Sequence, residues 1–241
     1  MDEIKNKLVQ ASKVYADQTV VRAAINAIPF IGGSLDILLS STGQNFVIKR
    51  IETLISELNV QLQQLDNSKI NHEFLETEVG FDLVIKAFNS ASRTRQNEKL
   101  KLYAKILKGA LTEGKEYQED DPELYLQIIE ELSVKELRVA KCLFELKEVK
   151  KIHPEQDNPD NNQDGMTNDA WWLSKQFPEF DKDELVSIFV RLERTGLIKE
   201  LVGSYIGYGG GQYLINPLFK KFITFIGEID LHENKQPLNK L

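Results

Sequence analysis

Cysteine is almost missing from this 241-residue chain. The single Cys142 has no partner for an intramolecular disulfide, and the three scattered histidines, His72, His153 and His232, add no second ligand at zinc spacing. No metal and no other cofactor is expected. There is also no G-x-S-x-G stretch and no local cue that would activate Cys142, while the acidic clusters Glu119, Asp120, Asp121 and Glu130, Glu131 suit helix starts and solvated faces. The chain is therefore read as not an enzyme, with no small-molecule substrate. Positive charge is short too: 30 Lys and Arg stand against 37 Asp and Glu, giving a net charge of −7 and a pI near 5.2. That balance argues against the broad cationic footprint of a nucleic-acid binder. The opening MDEIKNK lacks the basic flank and apolar core of a signal peptide, so the expected location is the cytoplasm.

Long apolar runs are missing as well. The most apolar stretch, Val20 to Ser40, carries no charge from Ala23 to Leu35, but Asn26 and Ser34 are polar and Pro29, Gly32 and Gly33 interrupt it. A spanning helix needs ~20 mostly apolar residues, so a single transmembrane pass is not expected. Proline removes a backbone donor and the glycines tolerate a bend, which predicts a helix to about Ile28, a turn over 29–33 and a second short helix. Two uses of this hairpin stay open. Runs this short are more often buried core, making the central hairpin of a helical bundle the plainer reading. The other is a membrane- or partner-active hairpin built on Ile28, Pro29, Phe30, Ile31, Gly32, Gly33, Leu35, Leu38 and Leu39.

What is abundant is helical periodicity. Ile4, Leu8, Ala11 and Tyr15 give a weakly amphipathic lead-in to the hairpin. After Thr42 and Gly43, Val47, Ile51, Leu54, Leu58, Leu62 and Leu65 recur at threes and fours, with Lys49, Glu52, Glu57, Gln61 and Gln64 on the solvated side, up to a turn at Asn67 and Ser68. Phe81, Val84, Ile85 and Phe88 mark the next helix, and Leu100, Tyr103, Ala104, Leu107 and Leu111 another, stopped by Gly114. Asp121 before Pro122 opens a helix with Leu124, Ile128 and Leu132 inward. Ser133 with Glu136 is a capping box for a helix that turns Leu137, Ala140 and Phe144 inward and ends near Val149.

The stretch 153–168 breaks this texture with two prolines, a glycine and many Asn and Asp. Beyond it, Trp171, Trp172 and Leu173 suit a short helix, and Asp181 with Glu184 caps another whose Leu185, Ile188, Phe189 and Leu192 end at Gly196. Leu197, Ile198, Leu201 and Val202 read as a strand, Gly203 to Gly211 as a loop, Tyr213 to Ile215 as the returning strand, and Pro217 opens a last helix with Phe219, Phe222, Ile223 and Ile226. That order is the order of a winged helix. The expected fold class is mainly α: a helical bundle over 1–150, a linker over 151–167, a small α+β winged helix over 168–233 and a tail over 234–241. Trp171, Trp172, Tyr205 and Tyr208 are its candidate contact residues.

A winged helix invites a DNA reading, with the helix from Asp181 to Thr195 in the major groove. Its leading Asp181, Lys182, Asp183 and Glu184 are net acidic, and the wing SYIGYGGGQY has no Lys or Arg for phosphates. Nucleic acid therefore ranks below a protein partner or self-association. The glycines at 207, 209, 210 and 211 lack the Lys-Ser or Lys-Thr pair of a phosphate loop. Asp160, Asn162, Asp164 and Gly165 match half a calcium loop, but Trp171 stands where its bidentate Glu belongs. Arg93, Arg95, Lys99, Lys101, Lys105 and Lys108 form the one basic stretch, either a solvated face or a surface for anionic lipid.

The apolar glycine-containing hairpin, NEKLKLYAKILKGAL, DDPELYLQIIEELSVKELRVAKCLFEL, RLERTGLIKEL and YLINPLFKKFITFI together resemble the Abi-alpha type of bacterial abortive-infection protein. The resemblance implies a role in phage defence, in which the infected cell stops growing or dies, and brings no catalytic residues. IPFIGGSLDILLS is similar in texture to helical membrane-perturbing domains of cell-death proteins, which implies the inner membrane as a partner, met peripherally on activation. A DNA-binding transcriptional regulator and a non-catalytic protein adaptor remain the alternatives.

Overall fold

The computed structural model describes residues 41–63, 65, 69–71, 73–112, 121–152, 173–200 and 213–226. Within them lie seven α-helices, a 3₁₀ turn at Glu73–Glu76 and two short strands, so the described chain is mainly helical with one small antiparallel sheet. The helices are α1 (Ser41–Gln63), α2 (Glu78–Arg93), α3 (Asn97–Ala110), α4 (Asp121–Glu131), α5 (Val134–Ile152), α6 (Lys182–Arg194) and α7 (Pro217–Ile226); the strands are β1 (Ile198–Glu200) and β2 (Tyr213–Ile215). Two compact units divide after Glu130. This groups α5 with the C-terminal half, whereas the expected bundle over 1–150 includes it. The lead-in helix, the hairpin 20–40, the stretch 153–172 and the wing 201–212 lie outside the described residues.

In the N-terminal unit α1 packs on α3 and α2. Val47, Ile51, Leu54, Leu58 and Leu62 are buried as their spacing requires, and Ile48, Ile55 and Asn59 widen the buried arc. Helix α1 already begins at Ser41, so Thr42 and Gly43 belong to it rather than preceding it. Two further expectations are corrected by a rotation about the helix axis. On α2 the buried side is Gly80, Leu83, Val84, Ala87, Phe88 and Ala91, leaving Phe81 37% exposed. On α4 it is Pro122, Tyr125, Leu126, Ile128 and Ile129, leaving Leu124 at 36%. Small residues are the reason on α2. A Cβ on Gly80 would sit 2.0 Å from the Phe74 carbonyl oxygen, so the helix start touches the 3₁₀ turn only because that residue is glycine. Thr77 caps α2 by accepting from the Gly80 amide at 3.1 Å.

Polar contacts tie α4 to the earlier helices. Lys86 Nζ donates to Glu123 at 2.7 Å, the Ser90 hydroxyl donates to Glu130, and the buried Lys99 ammonium donates to the Glu130 carbonyl at 3.1 Å. The last of these places a cation on the carbonyl end of a helix, where the helix dipole favours it.

The C-terminal unit is joined by local chemistry. The Ser133 and Glu136 capping box forms, with the Ser133 amide donating to Glu136 at 2.7 Å and the Glu136 amide to the Ser133 hydroxyl at 3.2 Å. Leu137, Val139, Ala140 and Leu143 are buried, and Phe144 meets Phe219 of α7 with ring centroids 5.1 Å apart. Helix α5 continues past Val149 to Ile152. A helical turn at 173–176 buries Leu173. Helix α6 ends where Gly196 takes φ 76°; the Gly196 amide donates to the Glu193 carbonyl and the Leu197 amide to that of Leu192, a Schellman motif. Asn216 then pins the start of α7 to this turn, its Nδ2 donating to the Gly196 carbonyl at 2.9 Å and to that of Ile198 at 3.2 Å. The strands pair Ile198 with Ile215, Lys199 with Leu214 and Glu200 with Tyr213.

Candidate functional site

Helix α6 is the element a winged-helix reading would put to use. Its inner side follows the expected stripe: Leu185, Ile188, Phe189 and Leu192 are all buried, and the Phe189 ring stacks on Tyr213 of β2 at 4.4 Å. The sheet is thereby two-sided. Ile198 and Tyr213 turn inward, while Lys199 and Leu214, directly opposed across the strands, are exposed.

The outer side of α6 presents Asp183, Val186, Ser187, Val190, Glu193 and Arg194 to solvent. Val186 is 43% exposed and Val190, one turn on, is 60% exposed, so two apolar side chains occupy the middle of this face. The N-terminal end is closed to an anion. Asp181 accepts from the Glu184 amide at 2.8 Å, and Glu184 reaches back to the Asp181 amide at 3.1 Å. These two carboxylates also make the end acidic.

Both arginines of α6 are engaged inside the unit. Arg191 donates from Nε to Glu136, a carboxylate that is 6% exposed and also serves the α5 capping box, and Arg194 pairs with Glu131. The two pairs differ in weight. Removing Arg191 would leave a buried carboxylate short of a partner, a change that typically costs several kcal/mol, whereas the exposed Arg194 pair is worth ~0–1 kcal/mol.

Cys142 on α5 has its thiol pushed up to about 11, first by burial and then by the Glu145 carboxylate, with Lys141 acting the other way. At neutral pH it is a thiol, and the thiolate is the reactive form. Among the described residues, no group of His, Cys, Asp and Glu is placed to hold a metal ion, and no helix is long and apolar enough to cross a membrane.

The residues singled out from sequence, Ile28, Pro29, Phe30, Ile31, Gly32, Gly33, Leu35, Leu38, Leu39, Trp171, Trp172, Tyr205 and Tyr208, all lie outside the described residues. Val186 and Val190 went unremarked in the sequence. Their four-residue spacing opposite the stripe Leu185, Ile188, Phe189, Leu192 was the signal that could have found them. No family profile, curated protein or solved structure matches the chain.

Proposed function

We propose that this chain is a non-enzymatic phage-defence protein of the abortive-infection type. Its C-terminal unit, a winged helix in its order of elements, docks a protein partner, and its apolar stretch 20–40 is the part that perturbs the inner membrane. One observation carries the docking half: the outer face of α6 centres on Val186 and Val190 while its arginines are paired with Glu136 and Glu131. A helix that reads DNA needs cations and hydrogen-bonding side chains there, for phosphates and base edges. Exposed apolar residues bordered by charge suit a protein surface better. The membrane half rests on the composition of 20–40, where Pro29, Gly32 and Gly33 are poor residues for a fixed core helix and Ile28, Phe30, Ile31, Leu35, Leu38 and Leu39 offer apolar area. Asp36 resists deep burial in lipid at a cost of about 2.5 to 3.5 kcal/mol near a bilayer centre, which favours a shallow pose or an oligomer.

Two measurements test this. Binding to random duplex at low salt discriminates the regulator alternative, because even nonspecific affinity would appear there and fall steeply with added salt; none is expected, and strong salt-sensitive binding would reverse the order. Expression in bacteria, with growth and membrane potential followed, tests the effector half. The full chain is expected to slow and depolarise cells once they are infected, and Ile31→Asp with Leu38→Asp to abolish both effects.

A further inference from the structure

The side of α6 that looks away from its core has an order of its own. Asp183, Val186, Val190 and Glu193 stand at offsets of zero, three, seven and ten, one line about 15 Å long at 1.5 Å per residue. All four are exposed, so the line runs acid, apolar, apolar, acid. Residues at i, i+3, i+4 and i+7 frame the hollow into which a facing helix sets a side chain. On this face they are Asp183, Val186, Ser187 and Val190, with the small, exposed Ser187 giving the hollow its depth. Both ends of the line are acidic. Asp183 makes no hydrogen bond or ion pair with a described residue, and its neighbours Asp181 and Glu184 outweigh Lys182. Glu193 accepts the Glu200 amide at 3.0 Å through Oε1, which leaves the second carboxylate oxygen to offer a partner. The cations nearby are already matched, Arg191 by Glu136 and Arg194 by Glu131.

We propose that this row seats a cationic amphipathic helix of another protein, with an apolar side chain lodged in the hollow and a Lys or Arg at each end, against Asp183 and Glu193. Charge complementarity sets the sign of the partner, because an acidic chain or a nucleic acid would meet like charge at both ends of the row. The capping box leaves an anion no free amide at the start of α6 either. The spacing sets the partner's form. At 1.5 Å per residue the four side chains stand at about 0, 4.5, 10.5 and 15 Å along the axis, steps that another helix repeats turn for turn. A strand presents one face every ~6.6 Å and falls out of step. The apolar centre is two valines wide, so the contact is a transient one. The inference rests on the reading of α6 as the partner face and names what that face takes.

A displayed library of alanine-rich helices about 18 residues long, randomised at positions zero, three, seven and ten of one face and selected on the full chain, tests it. Leu, Ile or Val is expected at the two central positions and Lys or Arg at the outer two. Val186→Asp with Val190→Asp should abolish binding of the selected helix. Asp183→Lys with Glu193→Lys should weaken it at least about tenfold and turn a repeated selection toward Asp and Glu at the ends. Asp183→Asn with Glu193→Gln should weaken it by less, and Lys199→Glu, at an exposed lysine of β1, not at all. Asp183→Lys alone, which keeps the Glu193 contact to the Glu200 amide, should reverse the preference at one end only. Circular dichroism confirms that each variant is folded. Acidic or uncharged ends in the selected helices overturn the inference, as does a folded charge reversal that binds like wild type or a valine variant that still takes the helix. So does a dimer of the chain, seen by sedimentation equilibrium, that Val186→Asp with Val190→Asp dissolves, since the occupant is then a second copy. The docking reading itself fails separately, through a valine variant that still depolarises infected cells.

Discussion

Helices α3 and α6 are of nearly equal length, 14 and 13 residues, and are held in opposite ways. Helix α3 has no side-chain cap at Gln96 and is buried around most of its circumference. Helix α6 is buried along one stripe but is closed at both ends, by the Asp181 and Glu184 capping box and the Schellman turn at Gly196. One helix is defined by what surrounds it and the other largely by its own sequence. The comparison explains why solvent meets little of the first beyond Asn97 and Lys101, and a broad face with two valines on the second.

The contrast predicts a gradient of mutational cost. Leu107→Ala, at a position 1% exposed on α3, should lower unfolding free energy by about 2 to 5 kcal/mol in urea titration; a loss well under that would mean α3 is less enclosed than described. Gly196→Ala should cost about 1 to 2 kcal/mol, since φ 76° disfavours any Cβ and the added atom would also meet Leu218 at 3.3 Å.

The ends of the two helices allow a reciprocal experiment. Asp181→Ala removes a working cap and should destabilise α6 by about 1 kcal/mol, whereas Gln96→Asp supplies one that α3 lacks and should stabilise by about 0.5 to 1 kcal/mol. Thermal melts read both. Equal and opposite shifts would sharpen the contrast, and no shift at Gln96→Asp would show that packing alone fixes the start of α3.

The smallest effect concerns alkaline pH. Tyr103 on α3 has its phenol pushed well above its ordinary value of about 10, mainly by burial and then by the Glu130 carboxylate. The unfolded chain thus releases this proton at a lower pH than the folded one. Its contribution is complete below pH ~10 and declines as pH rises above that. Tyr103→Phe should make stability less sensitive to pH in this range, measured by urea titration at several alkaline pH values.

The same contrast separates what could be read in the sequence from what could not. The caps at Ser133, Glu136, Asp181 and Glu184, the stop at Gly196 and the stripe Leu185, Ile188, Phe189, Leu192 were all legible, because each depends on residues within a few positions of one another. Where a helix is enclosed by others, the pattern misled. Phe81 and Leu124 are bulky enough to dominate a periodicity count, yet the buried sides of α2 and α4 are decided by what fits, including Gly80, Ala87 and Ala91. Lys99 looked like one more solvated cation until the end of α4 came to lie beside its ammonium group. Asn216, which bridges two carbonyls across the Schellman turn, gave no local sign of that role. The candidate hairpin and wing residues fall outside the described residues, so the sequence remains their only support.

The most direct test of the proposed function is membrane potential followed through phage infection in bacteria carrying the full chain, Val186→Asp with Val190→Asp, or Ile31→Asp with Leu38→Asp. The proposal predicts that the wild-type chain depolarises infected cells before lysis, that the α6 variant fails to respond because its partner face is spoiled, and that the hairpin variant fails because the membrane-active segment is. Infected cells that keep their potential with the wild-type chain present would contradict it.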